Sequence, residues 1–170
     1  TLEVEGQSTC EGTVSNSYTN ETLQIESGDT LALSGTENVT TEKATVTGVL
    51  TAATTGTITI SGSGTPFAVA GTFTPSTSTV DYSSASSPTI ANVTYNNLTI
   101  SGTVNAVTAS ATVGGTFLVS GTFTPNAGTI TVSGTTLTNN GTFAPTTAHT
   151  VALTNAGTTN VNGSTASTTF

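Results

Sequence analysis

The sequence predicts an all-β protein folded as a parallel β-helix (β-solenoid) with coils of about 20 residues. Three observations predict this fold. The phrase Gly-Thr-Phe-x-Pro begins at Gly71 and returns at Gly121 and Gly141. Short segments that alternate apolar and hydroxyl-bearing residues end at Gly or Asn along the whole chain, which is typical of strands bounded by turns. No segment has the period of an amphipathic helix.

The repeated phrase indicates the coil length. Its first two copies are preceded, at the same distance along the chain, by Phe67-Ala68-Val69-Ala70 and Phe117-Leu118-Val119-Ser120. The spacing of its last two copies, from Gly121 to Gly141, indicates a coil of about 20 residues. Three of the six phenylalanines of the chain lie in this phrase. We therefore expect Phe73, Phe123 and Phe143 to be buried and oriented alike.

The strands are predicted from a two-residue period. Leu23-Gln24-Ile25 is an early example and Thr150-Val151-Ala152-Leu153 is the last. Thr and Val, which are stiff at the side chain, favour strands. We expect consecutive coils to stack at about 4.8 Å, with apolar columns inside and ladders of Thr hydroxyls outside. The residues expected to face inward are Ile58, Ile60, Val69, Leu98, Ile100, Val119, Ile130, Val132, Val151 and Leu153.

The chain has the length of one domain, within which two regions differ in charge. Residues 1–43 contain eight of the nine acidic residues and the single Lys, and we predict an acidic strand segment that caps or joins the solenoid. Residues 44–170 are predicted to form the coils. The alternative fold is an antiparallel, pilin-like β-sandwich, whose N-terminal strand would complete the sheet of a neighbour.

The charge and hydropathy of the chain argue against several classes of partner. A net charge of −8 with only one Lys or Arg argues against binding to nucleic acid or to an anionic membrane surface. No apolar run approaches the length of a membrane-spanning helix. A chain that begins at Thr1 predicts a secreted, extracellular protein whose signal peptide has been removed.

Two segments resemble the repeat units of a known class of proteins. Residues 79–82 followed by 91–102 resemble the repeat units of secreted parallel β-helix proteins such as filamentous-haemagglutinin-like adhesins and autotransporter passengers, and Leu23-Gln24-Ile25-Glu26-Ser27-Gly28-Asp29-Thr30-Leu31 resembles their opening coils. The resemblance is one of pattern and covers residues 20–165. It implies a right-handed β-helix with an adhesive or scaffolding role at a cell surface.

Residues that carry chemistry are scarce. Glu26 and Asp29 are weak candidates for a calcium site, because Ca²⁺ prefers carboxylate oxygens; a solvated acidic face is the simpler interpretation. His149 is the only His and Cys10 the only Cys, so neither a zinc site nor an intrachain disulfide is expected. With two Asp and no Arg, the sequence predicts no enzyme activity and no cofactor.

Six Asn-x-Ser/Thr sequons are candidate glycosylation sites if the chain is secreted. Because roughly two-fifths of the residues are Thr or Ser, chance produces about this number, and the count itself does not indicate glycosylation. The candidate residues are Asn20, Asn38, Asn92, Asn97, Asn140 and Asn162.

Regular repetition with little chemistry predicts a mechanical function, that of a structural subunit in an extracellular filament, sheath or surface layer. The end coils of a solenoid carry unpaired backbone groups, so such subunits would form a head-to-tail homopolymer. Leu2 and Val4 in the N-terminal strand and Phe170 at the uncharged C-terminus are expected to form the joint.

The alternative function is that of a cell-surface adhesin or carbohydrate-binding module. Its partners would be surface glycans or other cells. Tyr18, Tyr82 and Tyr95 are the rings that would stack on sugars in such a module, although Tyr82 and Tyr95 suit corners or caps of the solenoid core better.

Overall fold

A computed structural model describes residues 2–4, 7–10, 14–15, 21–107, 110–144, 146 and 148–163. For residues before 21 and for 106–107 it describes the backbone alone. The regular structure in the described part of the chain consists of strands. The first thirteen are β1 (Leu2–Val4), β2 (Gln7–Cys10), β3 (Val14–Ser15), β4 (Thr22–Ile25), β5 (Thr30–Leu33), β6 (Val39–Thr41), β7 (Lys43–Val46), β8 (Val49–Thr51), β9 (Thr57–Ile60), β10 (Phe67–Val69), β11 (Thr72–Thr74), β12 (Thr79–Tyr82) and β13 (Thr89–Ile90). The remaining strands are β14 (Thr94–Tyr95), β15 (Asn97–Ile100), β16 (Thr103–Val104), β17 (Ala106–Val107), β18 (Ser110–Val113), β19 (Thr116–Val119), β20 (Thr122–Phe123), β21 (Gly128–Val132), β22 (Thr136–Asn139), β23 (Thr142–Phe143), β24 (His149–Leu153) and β25 (Asn160–Gly163).

These strands form six parallel sheets that stack coil upon coil. Sheet A has the order β1-β4-β7-β10, sheet B β11-β8-β5-β2, and sheet C β25-β22-β19-β15-β12-β9-β6-β3. Sheet D is β13-β17, sheet E β14-β18-β21-β24, and sheet F β16-β20-β23. Sheet C receives one strand from each coil, so its eight strands mark about seven turns. The predicted β-solenoid is confirmed, and the sandwich alternative is wrong because the paired strands of the described residues are parallel.

The coil length varies around the predicted value. In sheet C the shortest step joins Val80 to Leu98, and the longest joins Val14 to Val39. The extra residues of the longer coils lie in the loops between strands. The register of the strands is preserved, since a shift of one residue would turn each apolar side chain outward.

The core consists of apolar columns that run along the solenoid. Two columns come from sheet C, where alternate residues of each strand are buried. The first holds Val39, Ile58, Val80, Leu98, Phe117 and Leu137, and the second holds Ile60, Tyr82, Ile100, Val119 and Asn139. Sheets A and B close the core in the first half of the chain, and sheets E and F close it in the second half.

Seven of the ten residues that were expected to face inward are buried, and they are Ile58, Ile60, Leu98, Ile100, Val119, Ile130 and Val132. Val69 and Val151 are half-buried, and Leu153 is exposed. These three exceptions have one physical cause. Val69 lies in β10 and the other two lie in β24, which are the last strands of sheets A and E, so no strand of the same sheet covers them.

The expectation for the three phenylalanines of the repeated phrase is confirmed for two of them. Phe123 and Phe143 are buried, pair directly in sheet F, and stack with ring centroids 5.2 Å apart and planes at 29°. Phe73 is half-buried, lies in sheet B, and pairs with Leu50. The prediction that all three are buried and oriented alike is therefore wrong for Phe73, because the first copy of the phrase joins a different pair of sheets.

The parallel pairing extends across residue 43. Strand β4 pairs with β7 through Thr22 and Lys43, and β3 pairs with β6 through Val14 and Val39. The predicted division at residue 43 therefore does not coincide with a break in the strand ladder. The change at this point is in charge, because the acidic residues described between residues 21 and 42 belong to the same solenoid that continues beyond residue 43.

Candidate functional site

The outward surface of sheet C is the most regular surface in the described part of the molecule. We call it the threonine face and define it by three columns of residues that point away from the core along successive coils. The first column is Asn38, Thr57, Thr79, Asn97, Thr116, Thr136 and Asn160; the second is Thr40, Thr59, Asp81, Thr99, Leu118, Thr138 and Asn162; the third is Ser61, Ser83, Ser101, Ser120 and Asn140.

In-register pairing sets the geometry of the face. Thr59 pairs with Asp81, and Asp81 pairs with Thr99, so neighbours in a column are one strand spacing apart, about 4.8 Å. Adjacent columns are separated by two positions along each strand, about 6.7 Å. The face is therefore a two-dimensional array of short polar side chains with a fixed repeat in both directions.

The serine column is anchored to the coil below. The Ser83 hydroxyl donates to the carbonyl of Ile60, and the Ser120 hydroxyl donates to the carbonyl of Ile100, each over 3.4 Å. The Ser61 hydroxyl donates to the Thr41 carbonyl one coil earlier, also at 3.4 Å. Each of these long hydrogen bonds joins a side chain to the backbone of the preceding coil, so the three serine hydroxyls point toward that coil.

Asparagines in the first column also tie coils together. The Asn97 side-chain carbonyl accepts a hydrogen bond from the Thr116 N–H at 2.9 Å, and its amide donates to the carbonyl of Thr77 at 3.2 Å. Asn38 likewise accepts from the Thr57 N–H at 2.8 Å. Asn97 therefore links its own coil to the coils on both sides, and this fixes the register at the entry to sheet C.

Asp81 is the single charged residue within the three columns, and Glu42, which aligns with Ser61, lies beside the start of the third column. The two Asp81 carboxylate oxygens lie 2.7 and 2.8 Å from the Ser101 hydroxyl oxygen, and Oδ1 also accepts from the Ser101 N–H at 3.3 Å. These bonds hold the carboxylate against the next coil. The remainder of the face consists of hydroxyl, amide and apolar side chains.

The calcium candidates lie in a tight turn at the opposite side of the coil. The Asp29 N–H donates to the Glu26 carbonyl at 3.1 Å, and Gly28 has a φ of 97°, which fits the third residue of a type II turn. The Gln24 amide donates to the Glu26 carboxylate at 2.8 Å. No group of three or more metal-ligating His, Cys, Asp or Glu residues exists among the described residues, so a calcium site at Glu26 and Asp29 stays a prediction.

The sequons differ in the exposure of their side chains. Asn38, Asn92, Asn140 and Asn162 are exposed, whereas Asn97 is half-buried and its amide is hydrogen-bonded as described above. Asn20 lies outside the described residues. Glycosylation at the six positions remains a prediction.

The residues predicted to form the joint lie at opposite ends of the chain. Leu2 and Val4 belong to β1, which pairs with β4 at the edge of sheet A, and Phe170 lies outside the described residues. Two apolar residues that sequence reasoning did not assign to the joint are exposed in the last described coil. These are Leu153 in β24 and Val161 in β25, with exposed fractions of 46% and 43%.

The two tyrosines that were considered for sugar binding lie in the core. Tyr82 and Tyr95 are fully buried, with hydroxyl oxygens 2.9 Å apart, so neither presents a ring to solvent. The Tyr82 hydroxyl accepts from the Ala91 N–H, and the Tyr95 hydroxyl donates to the Ala91 carbonyl, each at 3.0 Å. Burial raises the pKa of Tyr82 to about 12, and burial raises the pKa of Tyr95 as well. Tyr18 lies outside the described residues.

His149 is placed as a packing residue in the structure. Its ring lies edge-on to Phe123 with centroids 5.9 Å apart, and Nδ1 is 3.1 Å from the Ala127 carbonyl oxygen. Partial burial lowers the pKa of His149. Cys10 lies in β2, where its backbone pairs with Leu33. No helix in the described residues is long and apolar enough to span a membrane.

Comparison with protein-family models, curated proteins and solved structures gave no match to this chain. The sequence predicted hydroxyl ladders on the outside but not which sheet would carry the longest one. The signal was present as the strings Thr-Ile-Thr-Ile-Ser at residues 57–61 and Asn-Leu-Thr-Ile-Ser at residues 97–101, which recur in sheet C.

Proposed function

We propose that this chain is a structural subunit of an extracellular filament, sheath or surface layer, and that copies of it join head to tail. A β-solenoid is compatible with a structural or an adhesive role. The observation that carries the proposal is the open core at the last described coil. There two apolar columns reach the surface, at Leu153 and Val161.

The exposed residues continue buried columns. Leu153 pairs with Val132 and Val161 pairs with Leu137, and both partners are fully buried. A coil from a second copy stacked on this end would bury Leu153 and Val161 in the same way. Covering each half-exposed side chain would stabilise the contact by about 1 kcal/mol.

The backbone at both ends supports addition of strands. Strands β24 and β25 are last in sheets E and C, and β1 and β2 are last in sheets A and B. Each therefore has one edge that no described strand occupies. A parallel strand from a neighbour would supply main-chain hydrogen bonds, while pockets for Leu2 and Val4 would set the register.

Charge favours joining unlike ends. Eight acidic residues lie before residue 43, whereas the part of the chain after Asp81 has no charged side chain. Contact between two acidic ends would bring like charges together, and head-to-tail contact avoids this. A heterologous contact of this kind does not close on itself and builds an open polymer.

The first experiment removes the N-terminal strand. A variant that lacks residues 1–6 should fold, as judged by circular dichroism, but should form no filaments in negative-stain micrographs. Normal filaments from this truncated chain would show that the N-terminal strand is not the joint.

The second experiment addresses the opposite end with a matched control. Leu153→Asp combined with Val161→Asp should abolish filaments, because the charges would have to be buried at the contact. Leu118→Asp introduces the same change on the lateral surface and should leave filaments intact. If only Leu118→Asp abolishes assembly, the subunits associate through their sides.

The second candidate function is adhesion, and the threonine face favours it. Its regular array of hydroxyl and amide groups offers a large surface for recognition. In the described part of the chain, however, the tyrosines are buried, so stacking on sugar rings has no support from Tyr82 or Tyr95. Loss of binding to cells after substitution of Thr99, with filament assembly unchanged, would distinguish adhesion from a purely structural role.

A further inference from the structure

We infer that the threonine face binds the surface of crystalline ice. The inference goes beyond a structural role, since it assigns a ligand to one side of the solenoid and does not depend on polymerisation. It rests on the repeat distances of the array, on the chemistry of its side chains and on its charge.

The repeat distances are close to those of the ice lattice. The two spacings of the array are about 4.8 Å along a column and about 6.7 Å between columns. Oxygen positions on the prism plane of hexagonal ice repeat at similar distances in two perpendicular directions. Because the coils are in register, the same spacing continues along the whole of sheet C. The small contributions of successive coils to ice binding therefore add together.

The hydroxyls of the second column are available to water. Thr59, Thr99 and Thr138 are half-buried, and none of their hydroxyls makes a hydrogen bond to another described residue. Thr is stiff at χ1, so each hydroxyl and methyl group keeps its position. An array of fixed hydroxyls can order first-shell water at its own spacing, because bridging water is nearly equivalent to a direct hydrogen bond.

Charge selects ice over other crystalline solids. Eight of the fourteen residues in the first two columns are Thr, and the carboxylates at the face are limited to Asp81 and Glu42, which aligns with Ser61 at the start of the third column. A mineral made of ions would require many carboxylates in register, which this face lacks. Crystalline polysaccharide would require exposed aromatic rings, and Tyr82 and Tyr95 are buried. An uncharged lattice of hydrogen-bonding groups is the surface that complements this array.

The other sheets provide the internal control. Sheet E carries a shorter ladder, in which Thr112 pairs with Thr131 and the next position is Ala152. Sheet A carries Gln24 and Lys43 on its outer surface. Thr131 and Thr99 are both half-buried and occupy equivalent places in their strands, so one substitution can be compared on two faces.

The experiment measures thermal hysteresis and adsorption of the fluorescently labelled chain to a growing ice crystal. The unmodified chain should adsorb and depress the freezing point below the melting point. Thr99→Lys should remove most of both effects, because the long charged side chain would hold the face away from the lattice. Thr131→Lys should leave both effects unchanged. Circular dichroism checks that each variant folds, and Thr138→Lys replaces Thr99→Lys if the latter does not.

Three results would overturn the inference. The first is an unmodified chain that neither adsorbs to ice nor shows hysteresis. The second is equal loss of binding in Thr99→Lys and Thr131→Lys. The third is adsorption to crystalline cellulose, or dimer formation through the face, in place of ice binding. The filament-deficient variant Leu153→Asp/Val161→Asp should still adsorb to ice, which separates this inference from the proposed polymerisation.

Discussion

The segments 67–75 and 117–125 share the phrase Phe-x-Val-x-Gly-Thr-Phe-Thr-Pro but lie at different corners of the solenoid. The first turns from sheet A into sheet B, and the second turns from sheet C into sheet F. The two corners have the same internal geometry. In the first, the N–H groups of residues 70 and 71 both donate to the Val46 carbonyl; in the second, those of residues 120 and 121 both donate to the Ile100 carbonyl. The phrase therefore encodes a local corner and not a particular face of the coil.

The aromatic contacts within the two corners are also alike. Phe67 and Phe73 have ring centroids 5.1 Å apart at 86°, and Phe117 and Phe123 have centroids 5.7 Å apart at 85°. Edge-to-face contact of this kind stabilises a pair beyond the area that it buries. The corners differ in what covers them. Phe123 lies in the middle strand of sheet F, whereas Phe73 lies in the last strand of sheet B and is half-buried.

The largest expected effect comes from removing the covered ring. Phe123→Ala should lower the free energy of unfolding by about 3–5 kcal/mol, because it leaves a cavity beside Phe117 and Phe143. Phe73→Ala should cost about half as much, because water already reaches that ring. Urea denaturation followed by circular dichroism measures both. Equal losses of unfolding free energy in the two variants would show that coverage by a neighbouring coil does not determine how much each ring contributes to stability.

A smaller effect is expected at the corner glycines. A Cβ at Gly121 would lie 2.0 Å from the Gly102 carbonyl oxygen, and one at Gly71 would lie 2.1 Å from the Gly48 carbonyl oxygen. Because both obstacles are backbone atoms, we expect Gly121→Ala and Gly71→Ala to destabilise the protein by about 1–3 kcal/mol each. Gly28→Ala, where a Cβ meets no atom within 4 Å, separates this steric effect from the cost of positive φ. An unchanged free energy of unfolding in Gly121→Ala would contradict the close approach of the two backbones at this corner.

The smallest effect is expected where the first half of the solenoid, closed by sheets A and B, meets the second half, closed by sheets E and F. It is expected only in alkaline solution. Tyr82 and Tyr95 lie where sheets A and B give way to sheets E and F. The pKa of Tyr82 is about 12 in the folded protein and about 10 in the unfolded chain, so the unfolded state loses its proton first. The stability that the neutral phenol contributes is present below pH 10 and is lost as the pH rises to 12. Tyr82→Phe should reduce this alkaline slope in denaturation experiments, and an identical slope would exclude Tyr82 as its source.

The sequence predicted the fold more fully than the surface. The two-residue period of segments such as 57–60 and 97–100 identified the strands and their buried residues, because burial on one face determines the register. Phe73 was misplaced because the repeated phrase specifies a turn between any two sheets. The exposure of Leu153 was missed because alternation within a strand does not show whether another strand covers it. The threonine face depends on stacking coils of unequal length, which no single segment reveals.

The parallel register described above also determines how the chain reaches its native state. Each strand of sheet C pairs with a strand of the next coil along the chain. The number of residues between paired positions is smallest from Val80 to Leu98 and largest from Val14 to Val39. Forming one coil therefore closes a loop of nearly constant length, and the entropy of closure does not grow as the solenoid lengthens. Folding can begin at any two adjacent coils and propagate in both directions, as in other quasi-one-dimensional proteins. The rate of folding of such a chain is set by its first pair of coils and not by its total length.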